Sequence, residues 1–285
     1  MSSIGVRETG PWSRKNRDRL SLRHIHNKGR AQEAMRLANA LSLSTPELVA
    51  LVGAGGKKTA MRRLVSEASA SGLRVGYTTT THTPPPEYSL VLANPDRLEA
   101  QLKRSDDSPV AFARERVRNP DRAAEKLQGF APAVVDSVFR PGRFDWLCVK
   151  ADGARRREFK APGPDEPAIP GASTTVVPVA SVGVIDQPLC EDCVHRVERV
   201  AALTGLERGD RLTPTAVGRV LSHSEGGLKG APSSARVVPL VNKADTAGDR
   251  RAARAVLEAA FARTDRFDRG VVASLQNDSL AVIEA

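Results

Sequence analysis

The chain has 285 residues, 40% of them hydrophobic and only 4% aromatic, with a formal charge of +10. That length holds one large α/β domain or two small ones, and the apolar content suffices for a real core. No run approaches the roughly 20 apolar residues of a membrane span, no secretory hydrophobic region follows the start, and three cysteines make no disulfide framework. The expectation is a soluble, cytoplasmic protein with no membrane partner.

Residues 1–30 carry eight Lys/Arg against Glu8 and Asp18, so they supply +6 of the charge. They read as a basic, disordered tail. An Arg- and Ser-rich transit peptide has the same composition, and an over-called start codon is the blander account. The rest of the chain is nearly balanced, which argues against nucleic acid as a partner. Residues 31–285 then read as a single domain.

Helical spacing over residues 31–43 stops at Ser44-Thr45-Pro46, and Leu48–Val52 is the first core strand. Gly53-Ala54-Gly55-Gly56-Lys57-Lys58-Thr59 follows, and residues 59–71 form a helix with Met61, Leu64, Val65 and Ala68 on one face. Residues 74–78 are the second strand, which completes a βαβ unit. A short strand is expected at 89–93, and a polar, mainly helical excursion over 95–140. Strands at 144–149, 174–180, 183–185, 236–241 and 271–274 then alternate with helices at 191–204, 213–222 and 250–263. This order predicts a three-layer, doubly wound α/β fold with a mainly parallel sheet, P-loop NTPase-like, with ligands beyond the C-terminal strand ends.

Four strand ends carry chemistry. The glycine turn from Gly53 to Gly56, with Lys57 opening a helix, has the layout of a phosphate cradle: unpaired N–H groups and a helix N-terminus converge on polyphosphate. The short form Gly-x2-Gly-Lys fits, but Lys58 stands where a hydroxyl residue should follow. Asn242-Lys243-Ala244-Asp245 follows a core strand as the guanine-reading loop of a GTPase does. There the Asp carboxylate accepts from the base N1–H and N2 amino group, the Lys stem lies over the ring and the Asn braces the loop. Asp245 as the N-cap of the next helix is the bland alternative. Asp152-Gly153 is placed to hold Mg²⁺ near a γ-phosphate, or is a simple turn. Thr78-Thr79-Thr80-Thr81-His82 offers four hydroxyls and an imidazole suited to acid/base work, or an ordinary strand end with an exposed histidine. Cys190-x2-Cys193 with His195 falls short of four metal ligands. Gly226-Gly227-Leu228-Lys229-Gly230 is a second phosphate-contacting loop or a flexible connection with one exposed lysine.

Taken in order, the glycine loop, Thr78–His82, Ala151-Asp152-Gly153-Ala154, Lys160-Ala161-Pro162 with Glu166-Pro167, Val194-His195-Arg196, Gly226–Gly230 and Asn242–Asp245 resemble the YqeC family. Its members are described as selenium-dependent molybdenum hydroxylase accessory proteins. The resemblance covers about residues 31–275 and implies a P-loop-like, NTP-binding protein that assists maturation of a molybdenum-cofactor hydroxylase client. Two residues depart from the family pattern. Lys58 replaces the first threonine of Gly-Gly-Lys-Thr-Thr, and Lys150 stands where the family tends to show Glu before Ala-Asp-Gly.

The residue reading and the resemblance together give GTP, with ATP as the alternative, gripped by Gly53, Ala54, Gly55, Gly56, Lys57, Lys58 and Thr59 and read by Asn242, Lys243 and Asp245. Lys57, Asp152 and His82 are the candidate catalytic residues, and Thr59 and Asp152 the candidate Mg²⁺ ligands. Lys58 and Lys150 both set positive charge against a divalent cation. Weak Mg²⁺-dependent GTP hydrolysis is one expectation, and a non-hydrolysing nucleotide- or molybdopterin-binding chaperone the other.

Overall fold

Strand β1 (Glu47–Gly53) is apolar on both faces, as a strand between two layers of helices must be. In the computed structural model, which describes residues 35–119, 122–140 and 142–285, it lies at the centre of a parallel sheet. The basic segment expected over residues 1–30 lies outside the described residues. On one side β1 pairs with β8 (Trp146–Lys150), then β2 (Val75–Thr79), β5 (Val110–Ala113) and β4 (Ser89–Leu92). On the other it pairs with β10 (Thr175–Ser181), then β13 (Leu240–Asn242), β14 (Arg269–Ser274) and β15 (Ser279–Glu284). All these pairs are parallel except β14–β15, which closes the edge antiparallel. A short β12 (Arg236–Val237) also adds to β10.

The strand period of 2 sorts the core. Val49 and Leu51 join the buried set of α1 (Leu37–Ala40) and α2 (Lys57–Ala70), including Met61, Leu64 and Val65. Ala50 and Val52 face the opposite way, into the set of α6 (Pro214–Ser222) and α7 (Ala247–Phe261). Leu48, Leu147 and Val149 share that second face with α3 (Pro95–Lys103) and α4 (Pro132–Phe139). The result is three layers, helix–sheet–helix. At the N-terminal edge of the strands the buried Glu47 carboxylate accepts from Arg236 at 2.6 Å and from the Thr175 hydroxyl at 3.0 Å, tying β1, β10 and β12 together.

Several expected elements differ. The excursion over 95–140 is not mainly helical: between α3 and α4 it holds β5, a strand of the main sheet, and β6 (Glu115–Asn119), which pairs antiparallel with β7 (Arg122–Gln128). With β3 (His82–Thr83) these two form a separate small sheet. The residues of β6 and β7 are mostly charged or polar and show no apolar alternation, so nothing in them marked a strand and they read as polar helix. Residues 182–184 are a 3-10 turn rather than a strand, capped by the Ser181 hydroxyl. The helix expected from 191 starts only at Val197 (α5, Val197–Thr204), because β11 (Val194–His195) first pairs with β9 (Phe159–Lys160). The strand expected over 236–241 is split at Val238-Pro239, where proline supplies no N–H. Strand β15 was not foreseen. Among the described residues no helix is long and apolar enough to cross a membrane.

Candidate functional site

The parallel pairing brings the C-terminal ends of β1, β2, β8, β10 and β13 to one edge of the sheet, and the four strand-end motifs sit along it. At the end of β1 the chain turns through Gly53, Gly55 and Gly56, all at positive φ (87°, 77° and 146°). These positions need glycine for space as well as for conformation. A Cβ at Gly53 would stand 2.3 Å from the Val179 carbonyl oxygen, and one at Gly55 2.5 Å from the Ser181 nitrogen. Ala54 N–H donates to Val179 O at 2.8 Å, which seats the loop on β10. The N–H groups of residues 55–59 meet no acceptor among the described residues, so they form a run of free donors leading into α2.

Lys57 is 5% exposed and folds back over this loop. Its Nζ donates to the Gly53 carbonyl and lies 2.9 Å from Asp152 Oδ1. Burial lowers its pKa, and the Asp152 charge offsets part of that. Asp152 follows β8 and is itself buried; its Oδ2 accepts from the Gly53 N–H at 2.8 Å. It is therefore no exposed turn residue.

Three charged residues to which the motif reading gave no role complete this centre. Lys160, 3% exposed on β9, places Nζ 3.0 Å from Asp152 Oδ2, 2.6 Å from Glu166 Oε2 and 2.7 Å from the Gly153 carbonyl. Arg196 donates to Glu166 Oε2 at 2.7 Å. Burial alone would favour neutral Glu166, but the hydrogen bonds from Arg196 and Lys160 outweigh it and hold the carboxyl down at about 2. Neighbouring His195, next to Lys160 in the β9–β11 pairing, is held at about 4 by burial and by Arg196 and Lys160, so it is neutral at pH 7. The sequence signal for this network was the set of resemblance motifs Lys160-Ala161-Pro162, Glu166-Pro167 and Val194-His195-Arg196, which marked the residues but not their roles.

Lys150, at the end of β8, is 8% exposed and donates to the Thr81 hydroxyl at 3.0 Å and the His82 carbonyl at 2.7 Å. Burial, with Lys57 nearby, pulls its pKa down to about 7. The hydroxyls of Thr78, Thr79 and Thr80 are spent on the carbonyls of Phe112, Lys150 and Ala168, each at 2.7 Å. Thr81 faces Lys150, and the His82 side chain is exposed, its pKa lowered by partial burial and by Lys126 and Lys150. Lys58 is exposed on the first turn of α2; its pKa is lowered by partial burial and by Arg62 and Arg156. Thr59 is half-buried one position on.

The second arm of the site follows β13. Asn242 is buried; its Nδ2 donates to the Gly55 carbonyl at 3.0 Å, and its Oδ1 accepts from the Leu275 N–H at 3.2 Å. It is a strut between the glycine loop and the loop after β14. Lys243 takes a positive φ of 66° and pairs with Glu158 at 2.6 Å. Asp245 does not cap α7. That role belongs to Thr246, in a capping box with Asp249. The Asp245 carboxylate is instead held on one oxygen, Oδ1, by the Ser274 hydroxyl and by Asn277 Nδ2, and the residue is exposed.

Gly226 and Gly227 pack against the end of α6, where added Cβ atoms would stand 2.0 Å and 2.3 Å from the carbonyl oxygens of Val220 and Leu221. Lys229 is spent on the carbonyls of Gly163 and Pro164. Gly226 and Gly227 nonetheless line a small cavity shared with Gly53, Asp152 and Lys160. Cys193 Sγ points to the Pro188 carbonyl at 3.3 Å, and among the described residues no three His, Cys, Asp or Glu side chains converge as a metal site.

Asp152 is a poor ligand for Mg²⁺ in this setting. One oxygen is taken by an N–H and the Lys160 ammonium, and the other faces the Lys57 ammonium without an aligned hydrogen bond. An oxygen-seeking dication would have to displace buried cations to reach it.

A family model described as YqeC protein matches residues 49–198, from β1 to the start of α5, and so takes in the glycine loop, Asp152, Lys160, Glu166 and Arg196. The "Uncharacterized protein YqeC" of Escherichia coli (strain K12) is 31% identical over 201 residues, covering 70% of this chain and 76% of that protein. The match over more than half of the chain, together with this relative, shows that the chain belongs to the YqeC family.

Proposed function

We propose that this protein binds a guanine nucleotide at the C-terminal edge of the sheet, in a P-loop-like cradle. The observation that carries the reading is the Asn242 strut. It ties the loop whose N–H groups stand free for phosphate to the loop that ends in Asp245, so the two arms are fixed as one bipartite site. The free donors of residues 55–59 and the Lys57 ammonium take the polyphosphate. Asp245, held on Oδ1, presents its remaining oxygen to guanine N1–H and the N2 amino group, an arrangement adenine leaves unpaired.

Binding is better supported than turnover, because Asp152 is already engaged by Lys57, Lys160 and the Gly53 N–H. That observation favours a non-hydrolysing, nucleotide-binding chaperone over a GTPase using Lys57, Asp152 and His82 with Mg²⁺. A role in maturing a molybdenum-cofactor hydroxylase, selenium-dependent or not, is supported by the family resemblance.

Calorimetry with GTP, ATP and XTP tests the reading. Wild-type protein should prefer GTP, and Lys57→Ala should bind about tenfold or more weakly. Asp245→Asn exchanges an acceptor for a donor and should move the preference towards XTP, whose C2 carbonyl accepts where guanine donates. Equal affinity of the wild type for GTP and ATP would remove the guanine assignment.

A further inference from the structure

We infer that Lys160 is the resident cation of this site and that polyphosphate binds here without a divalent metal. The inference deepens the nucleotide reading and rests on it.

The geometry around Lys160 is that of a fixed ion. An ammonium has three N–H donors, and Lys160 has three acceptors within 3.0 Å: Asp152 Oδ2, Glu166 Oε2 and the Gly153 carbonyl. With 3% of its surface exposed, it has no freedom to leave. Arg196 donates to the same Glu166 Oε2, so the arrangement is pinned by groups from β9, the loop before β10 and the start of α5. Lys57 differs. It touches Asp152 and a single carbonyl, and its partner oxygen, Asp152 Oδ1, receives no aligned hydrogen bond.

These two ammonium groups have separable tasks. When polyphosphate arrives, Lys57 swings from Gly53 and Asp152 to the phosphate oxygens. Removing one partner of a buried ion pair ordinarily strands the other charge, a costly event. Here Lys160 and the Gly53 N–H remain on Asp152, so its charge stays compensated while Lys57 moves. The charges of Lys57, Lys160, Arg196, Asp152 and Glu166 leave a surplus of one positive, which an incoming anion balances. A dication in the same space would meet the surplus with its own sign. Lys160 thus does electrostatically what a carboxylate-bound metal would do, and Asp152 is its anchor.

The experiment is GTP calorimetry on the full chain, in EDTA and in excess Mg²⁺, for wild type and Lys160→Met. Wild-type affinities in the two buffers should agree within about threefold. Lys160→Met frees Asp152, so its GTP affinity should fall about tenfold or more in EDTA and be restored by Mg²⁺. Rescue by the metal distinguishes loss of a charge from loss of packing. Wild-type binding seen only with Mg²⁺ overturns this inference and leaves the nucleotide reading standing. No GTP binding in either buffer overturns the nucleotide reading, and this inference with it. Should Lys160→Met fail to fold, the wild-type comparison alone decides.

Discussion

Lys150 shows how one substitution can couple this site to pH. Its ammonium hangs from the end of β8 into a space bounded by Thr81, the His82 carbonyl and the positive charges of Lys57 and Lys160. Burial and those charges bring its pKa to about 7, against 10.5 for the free side chain. Between those values the unfolded chain holds a proton there that the folded chain lacks. Stability therefore rises with pH from about 7 to about 10.5, and below 7 the fold bears the full cost of a buried charge. That cost is on the order of a few kcal/mol for a shift of this size. Lys150→Met should flatten this part of the stability profile and stabilise the protein at pH 6–7. Urea unfolding of both proteins across the range checks it; an unchanged slope in the variant would assign the pH dependence to another group. The same logic predicts proton uptake when an anion binds at pH 8, because added negative charge raises the Lys150 pKa.

At the scale of elements, the β1–loop–α2 unit depends on a backbone that other residues cannot follow. Gly53 and Gly72 have similar φ values, 87° and 73°, but different surroundings. A Cβ at Gly72 meets nothing within 4 Å, whereas one at Gly53 meets the Val179 carbonyl of β10. Gly72→Ala should cost only the left-handed backbone penalty of about 1–2 kcal/mol. Gly53→Ala adds a clash with a strand that cannot yield, and should cost about 2 kcal/mol more. Chemical denaturation of the two variants compares them directly, and equal losses would mean that the loop lifts off β10 easily.

That unit was also the most legible part of the sequence. Glycines, a lysine and an amphipathic run at helical spacing lie within 25 residues, and local chemistry alone specifies them. The alternation of strands and helices gave the layers for the same reason. Residues 95–140 misled because β6 and β7 form a small sheet apart from the core, so their side chains carry no apolar period. Strand β15 was missed because the polar stretch after Ser274 reads as the end of the fold. Lys160, Glu166 and Arg196 had no readable role, since their meaning lies in contacts made across 6 to 30 residues of chain. Conversely, Thr78–Thr80 looked functional because their hydroxyls were counted before the carbonyls that consume them.

For the molecule as a whole, the sheet should divide into parts of unequal stability. Strands β10, β1 and β8 are paired on both sides and buried on both faces, so their amides open only with global unfolding. The β6–β7 pair shares its sheet only with the two-residue β3, and its residues 115–118 are largely exposed. Hydrogen exchange should therefore be slowest in β10, β1 and β8 and orders of magnitude faster in β6 and β7. GTP adds a sharper expectation. A ligand lying across the edge contacts residues 53–59 and 242–245 together, and Asn242 already joins them. Protection should then increase in both segments at the same GTP concentration, by the free energy of binding, while β6 and β7 remain as they were. Protection confined to residues 53–59 would mean that only the phosphates are held. In that case the Asp245 arm is a brace for the fold rather than a reader of the base.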